Sequence, residues 1–368
     1  MTIGYCNFIL HAILEEIVTL VQAIPASGET ASGFTRLRVK AVIAETADAS
    51  SIVFETPDEQ ANAFRYKPGQ FLTLRVPVNG EDELRCYSLA SSPATGENLK
   101  VTVKRVADGR VSNWLLDNLG AGDNLLVMPP KGIFCLQEGV GSVVLFAAGS
   151  GITPVISILK QVLLTTARKV KLVYANRDRN SIIFREELER LRDFHKGRFE
   201  LVHRLDTEQG ILTAQDAGAH ADPAGQHYLC GPAPFMQAVK DGLRAAGVPD
   251  ARILMESFDL AEDEPATEAA PVSDGANVAK VTVRYRGADY AIEVLETETV
   301  HTAAKRQGLN LPFSCKAGFC GLCIARVTAG QVSLKDNLGA ISDGQIAEGL
   351  TLTCQALVRS AEATVVFE

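Results

Sequence analysis

Near the far end of the chain, Cys315, Cys320 and Cys323 stand in C-x4-C-x2-C spacing within CKAGFCGLC, and Cys354 follows in TLTCQAL after a β-rich interval. If these thiols serve one centre, the fold must gather three of them into a tight loop and return the fourth on a neighbouring strand. That spacing is the one used by plant-type 2Fe-2S centres. Structural zinc also takes four cysteines, but it prefers two separated C-x2-C knuckles, and only one such pair is present. Gly318 and Gly321 let the loop turn tightly and bring amide hydrogens toward the sulfurs. The other four of the eight cysteines, Cys6, Cys86, Cys135 and Cys230, are scattered and form no disulfide framework. Reduced thiols in a cytoplasm are therefore expected.

A chain of 368 residues has room for two or three domains. Its net charge of −8 offers no electrostatic footprint for nucleic acid. No stretch reaches the roughly 18 uninterrupted apolar residues of a membrane span. Residues 1–33 hold apolar positions at helical spacing, Ile9, Ile13, Ile17, Leu20 and Ile24, without the basic polar face of a membrane-surface anchor. The expectation is an amphipathic helix that docks on the protein or a partner.

Residues 34–137 contain short β-rich runs separated by Gly, Pro and Asp, the pattern of an antiparallel β-barrel. A helix is expected to interrupt them from Ser112 to Leu119, with Ser112 as its cap. From 138 to 260 the runs alternate between strand and helix, which predicts a doubly wound parallel α/β sheet. Residues 261–278, rich in Ala, Pro and acidic residues, read as a flexible linker. Residues 279–368 add two strands, a helix near 299–307 and the cysteine loop, an α+β domain.

Four strings occur in order along the chain: RCYSLASSP, GRVSNWL, AAGSGITP and LCGPAPFM. With them the chain resembles the ferredoxin-NADP reductase superfamily from about residue 34 onward. The appended cysteine motif makes it similar to the reductase components of oxygenases, of the 3-ketosteroid 9α-hydroxylase and phenylacetyl-CoA epoxidase type. The resemblance implies an FAD-binding barrel, an NAD(P)-binding α/β domain and a β-grasp ferredoxin domain whose cluster is held by Cys315, Cys320, Cys323 and Cys354. It implies that Arg85 pairs with the flavin pyrophosphate, Tyr87 packs on the isoalloxazine ring and Ser88 hydrogen-bonds near N5. An arginine fork, an aromatic face and a hydroxyl suit those three tasks.

Gly109, Arg110, Val111 and Ser112 open a helix, where free amides can hold phosphate. That favours FAD, with FMN left open. By the same resemblance Gly149, Gly151, Thr153 and Pro154 line the nicotinamide nucleotide, with Pro154 starting a helix, and Cys230, Gly231 and Pro232 lie beside the nicotinamide. Arg177, together with Ser181, is available to the adenosine end, leaving NADH and NADPH both open with a slight lean to NADH. The resemblance also implies that Glu256 in MESF sits near the flavin and nicotinamide and that Phe258 lines the cofactor, although many relatives carry arginine at the position of Ser257. Ser88, Cys230 and Glu256 are the catalytic candidates.

A nicotinamide gives up only a hydride and a 2Fe-2S cluster accepts one electron at a time, so the flavin must stand between them. The expected product is a reductase, by default monomeric, that feeds the Rieske or diiron centre of a separate oxygenase, its linker letting the ferredoxin domain swing between flavin and partner. A non-enzymatic redox sensor or adaptor is the alternative. The electron-transfer subunit of a dihydroorotate dehydrogenase is disfavoured, because its fourth cysteine follows much sooner.

Overall fold

A computed structural model describes residues 33–258 and 278–367, apart from 314, 315, 317, 319, 338 and 339. The expected N-terminal helix, nearly all of the acidic linker and Cys315 lie outside the described residues.

The first folded unit is built on β1 (Thr35–Thr46), β2 (Ala49–Glu55), β3 (Phe71–Val78), β4 (Glu81–Ser88), β5 (Lys100–Lys104) and β6 (Asn124–Lys131). They form one six-stranded sheet in the order β4-β3-β6-β1-β2-β5. An antiparallel bridge between Leu89 and Val101 links its two edges and closes the barrel. Apolar residues such as Leu37, Phe54, Leu72, Leu74 and Val127 alternate inward to fill it. The helix Arg110–Asn118 plugs one end with Val111 and Leu115. It starts two residues earlier than the sequence suggests, with Gly109 as its N-cap. Ser112 does not cap it, because its hydroxyl accepts the Val106 N–H at 3.2 Å, in the loop before the helix.

The second unit is a parallel sheet of β7 (Val143–Ala148), β8 (Val170–Asn176), β9 (Phe199–Leu205), β10 (Gln226–Cys230) and β11 (Ile253–Glu256). Its order is β11-β10-β7-β8-β9. The chain therefore winds outward from β7 to β9, then returns to the other side of β7. The reversal opens a crevice at the carboxyl ends of β7 and β10, where such sheets bind ligands. Each face carries its own core: Leu145 and Ala147 of β7 belong to one, Val144 and Phe146 to the other.

The third unit comprises β12 (Val278–Tyr285), β13 (Ala288–Leu295), β14 (Ile324–Ala329), β15 (Val332–Leu334), β16 (Leu350–Leu352), β17 (Ala356–Val358) and β18 (Glu362–Val366). Five of them form a mixed sheet, β13-β12-β18-β14-β16, while β15 pairs with β17. The helix Val300–Arg306, capped by Thr299, lays Val300, Ala303 and Ala304 on Val281, Val283 and Val365.

Barrel and parallel sheet meet through the helix Ile152–Thr165. Ser157 Oγ donates to the Ser91 carbonyl at 2.6 Å, and Lys160 Nζ to the Ala90 carbonyl at 3.2 Å. Lys160, only 3 % exposed, also pairs with Glu187 at 2.5 Å and with Glu97 at 3.0 Å. Lys100 adds contacts to the same two carboxylates, at 3.5 Å to Glu97 and 3.4 Å to Glu187. Removing one partner of such a network leaves carboxylates facing each other with too little positive charge. Lys160→Ala is expected to destabilise the protein by about 2–4 kcal/mol, read from denaturant midpoints at neutral pH. A loss under about 1 kcal/mol would mean that the network behaves like a surface ion pair.

Candidate active site

The carboxyl ends of β10 and β11 are in register, Cys230 beside Glu256, and Cys230 also faces Ala147 of β7. From the barrel side, Ser88 at the end of β4 donates its hydroxyl to Glu256 Oε2 at 3.2 Å. All three groups are buried. Ser88, Cys230 and Glu256 thus converge on one point although 168 positions separate Ser88 from Glu256. Burial pushes the Glu256 carboxyl up to about 8, and the Ser88 hydrogen bond offsets only part of that. The group therefore holds a proton at neutral pH. Burial also raises the nearby Cys135 thiol, with Glu256 adding to the effect. Phe258, two residues beyond Glu256, is 36 % exposed.

The loop after β7 presses directly on the loop after β10. A Cβ at Gly151 would lie 2.1 Å from the Cys230 carbonyl oxygen, and one at Gly231 would lie 2.9 Å from the Ala148 Cβ. Only glycine allows that approach. Gly149 takes φ +50°, and its carbonyl accepts the Tyr174 hydroxyl at 2.9 Å. Thr153 Oγ1 donates to the Ser150 carbonyl at 3.1 Å. The helix begins at Ile152, so Pro154 is its third residue and not its first. Proline is tolerated there because amides of the first turn have no intrahelical partner. Pro232 caps the helix Ala233–Ala245.

Beyond β8, Arg177 is exposed and lies against Asp178 at 3.0 Å. Ser181 is buried, its hydroxyl donating to the Asp178 carbonyl at 2.7 Å and accepting the Asp178 N–H at 3.1 Å. That turn occupies the hydroxyl's one donor, so Ser181 has none to give a ribose phosphate, contrary to what the sequence suggests.

On β4, strand alternation puts Glu83, Arg85 and Tyr87 on one face. Glu83 accepts Arg85 Nη1 at 3.2 Å and pairs with Arg110 Nη1 at 3.0 Å. One anionic group therefore lies within reach of both guanidinium groups, next to the helix start at Gly109, Arg110, Val111 and Ser112. Sequence reasoning passed over Glu83; its only signal is an acidic residue two positions before Arg85 on a strand. Tyr87 is half-buried, and burial raises its hydroxyl above the ordinary phenol range. Cys86, on the opposite face, lies 3.3 Å from Thr73 Oγ1.

In the third unit Cys320, Cys323 and Cys354 are all buried. Cys323 Sγ and Cys354 Sγ lie 3.2 Å apart, and the Thr353 N–H donates to the Cys323 carbonyl at 2.9 Å, tying strand to loop. Lys316, Gly318 and Gly321 take φ of +49°, +74° and +77°, left-handed values that turn the backbone sharply at each of them. Buried soft thiols on a glycine-turned loop, two of them in contact, fit a thiolate-held iron centre.

Three family models match these units in turn: Oxidoreductase FAD-binding domain over residues 30–135, Oxidoreductase NAD-binding domain over 145–241, and 2Fe-2S iron-sulfur cluster binding domain over 283–359. Barrel, nucleotide sheet and thiol loop together define an FAD- and nicotinamide-linked iron–sulfur oxidoreductase. More narrowly, the chain belongs to the family of ferredoxin reductase components of multicomponent monooxygenases. It is 44 % identical over 327 residues to the ferredoxin reductase component of 3-ketosteroid-9-alpha-monooxygenase of Rhodococcus rhodochrous, covering 87 % of this chain and 93 % of that one. It is 35 % identical to one of the components of the 1,2-phenylacetyl-CoA epoxidase of Escherichia coli strain K12, covering 91 % and 98 %. Among solved structures it matches phthalate dioxygenase reductase with a TM-score of 0.59 at 25 % identity, covering 91 % of this chain and 98 % of that one.

Because burial raises the Glu256 carboxyl to about 8, the folded protein binds a proton there that the unfolded chain releases near the ordinary carboxyl range. The stability it contributes is full below that range and is lost as pH rises through about 8. Glu256→Gln is expected to flatten this part of the stability profile and to match or exceed the wild type at pH 8.5. Urea titrations from pH 5 to 8.5 would check it; an unchanged slope in the variant would assign the pH dependence to other groups.

Proposed function

We propose that this chain takes hydride from NADH or NADPH at the crevice between β7 and β10 and delivers single electrons through its cysteine loop to a terminal oxygenase with a Rieske or diiron centre. The observation that carries the reading is the meeting of Ser88 from the barrel with Glu256, beside Cys230, at the switch point of the parallel sheet. FAD, when bound, supplies the conversion between a two-electron donor and a one-electron acceptor.

The chain's residues have separable tasks in this reading. Arg85 and Arg110, with the amides that follow Gly109, bind the flavin pyrophosphate, and Tyr87 packs on its ring. Gly149, Gly151, Thr153 and Pro154 seat the nicotinamide nucleotide, while Cys230, Gly231, Pro232 and Phe258 shape the pocket and exclude water. Ser88 and the protonated Glu256 hold a proton beside the reacting edge. Arg177 meets the adenosine end alone, since Ser181 is spent in its turn, and this favours NADH. Cys315, Cys320, Cys323 and Cys354 ligate the cluster.

Among the described residues no helix is long and apolar enough to cross a membrane, and the free thiols of the described residues agree with work in a reducing cytoplasm. The steroid-hydroxylase system is the first oxygenase to try, because relatives of 44 % and 42 % identity bear that name.

Rapid mixing with NADH tests the relay. Flavin absorbance is expected to bleach first and the cluster to become reduced next, while Cys323→Ser bleaches without the second phase. A loaded wild-type cluster that stayed oxidised while the flavin bleached would defeat the proposal.

A further inference from the structure

The cysteine loop meets the flavin barrel at a lysine. Lys131 closes β6, and a Cβ built on Gly321 would lie 3.2 Å from its Nζ. Gly321 stands between Cys320 and Cys323, each 1 % exposed. Its φ of +77° favours glycine, and the missing side chain leaves the backbone open to the ammonium. Among the described residues this ammonium pairs with no carboxylate.

Strand register ties the same lysine to the candidate active site. Ser88 is paired with Phe71 across β4 and β3, and Phe71 with Lys131 across β3 and β6. Lys131 is therefore two strand spacings from Ser88, about 10 Å along the barrel wall. The β3–β6 register shifts between Phe71 and Thr73, where Pro129 and Pro130 cannot donate to the ladder. Such a bulge bends its strand and re-aims the residue that follows it, here Lys131.

We propose that Lys131 is a positioning residue that docks the cysteine loop on the flavin barrel and makes the cluster held there easier to reduce. This rests on reading the loop as the cluster site. A cluster with four thiolate ligands becomes more negative by one charge on accepting an electron, and an adjacent cation favours that form. The backbone at Gly321 is the close-approach point, so the same contact holds the loop near the wall that carries Ser88.

The test uses the full-length, flavin- and iron-loaded protein in three forms: wild type, Lys131→Gln and Lys131→Arg. Iron and acid-labile sulfide are assayed, and the cluster is titrated with redox dyes and followed by electron paramagnetic resonance. Lys131→Gln is expected to keep its iron but to lose about threefold to tenfold in the reduction equilibrium, tenfold being about 59 mV for one electron. Flavin-to-cluster transfer in rapid mixing should slow by a similar factor. Lys131→Arg should restore both to within about twofold, and raised salt should shrink the difference as screening grows. A loaded Lys131→Gln protein with unmoved potential, or equal shifts in the Gln and Arg variants, would overturn the lysine's role alone. Wild-type protein that never retains iron and sulfide would overturn the cluster reading, and this inference with it.

Discussion

Everything in the catalytic region depends on how the helix Ile152–Thr165 is fastened to the segment after β4. The carbonyls of Ala90 and Ser91 continue the strand that carries Arg85, Tyr87 and Ser88, and they receive Lys160 and Ser157. The same helix starts from the glycine loop that abuts Cys230. A flavin-side strand and a nicotinamide-side loop are thereby held by one rigid rod. A shift of that rod would separate Ser88 from Glu256. Buried ion pairs are costly to desolvate, so the gain from the Lys160 network lies in fixing the relative placement of two domains.

Legibility in the sequence followed how local each constraint is. The cysteine spacing announced its own chemistry, because a loop that must supply several ligands has little freedom. The alternation of strand and helix from residue 138 onward likewise predicted the parallel sheet, since both periodicities are short. Ser112 shows the limit: serine is a good cap, but its hydroxyl had a better partner in the Val106 amide. Ser181 was lost in the same way to the Asp178 turn. Side chains that can satisfy their own backbone are hard to assign to a ligand from sequence. Glu83 and Lys131 were invisible for another reason. Their importance comes from what the barrel's closure and register place opposite them.

The buried acid–base groups are concentrated where the barrel meets the parallel sheet. Glu256 is held protonated by burial, within reach of a hydroxyl from another domain. Its partner strand ends in a thiol that is also buried. Both polar groups sit at the mouth of a crevice that strand order creates. The fold thus supplies the dry surroundings that hold the Glu256 proton in place.

In the third domain, β18 runs between β12 and β14, parallel to the first and antiparallel to the second. The two halves of that sheet have no direct ladder between them, so residues Glu362–Val366 act as its keystone. Until these residues pair, the sheet stays divided into β13-β12 and β14-β16. A nonsense change just upstream of Glu362 would therefore leave the half that carries Cys323 and Cys354 with no ladder to β12.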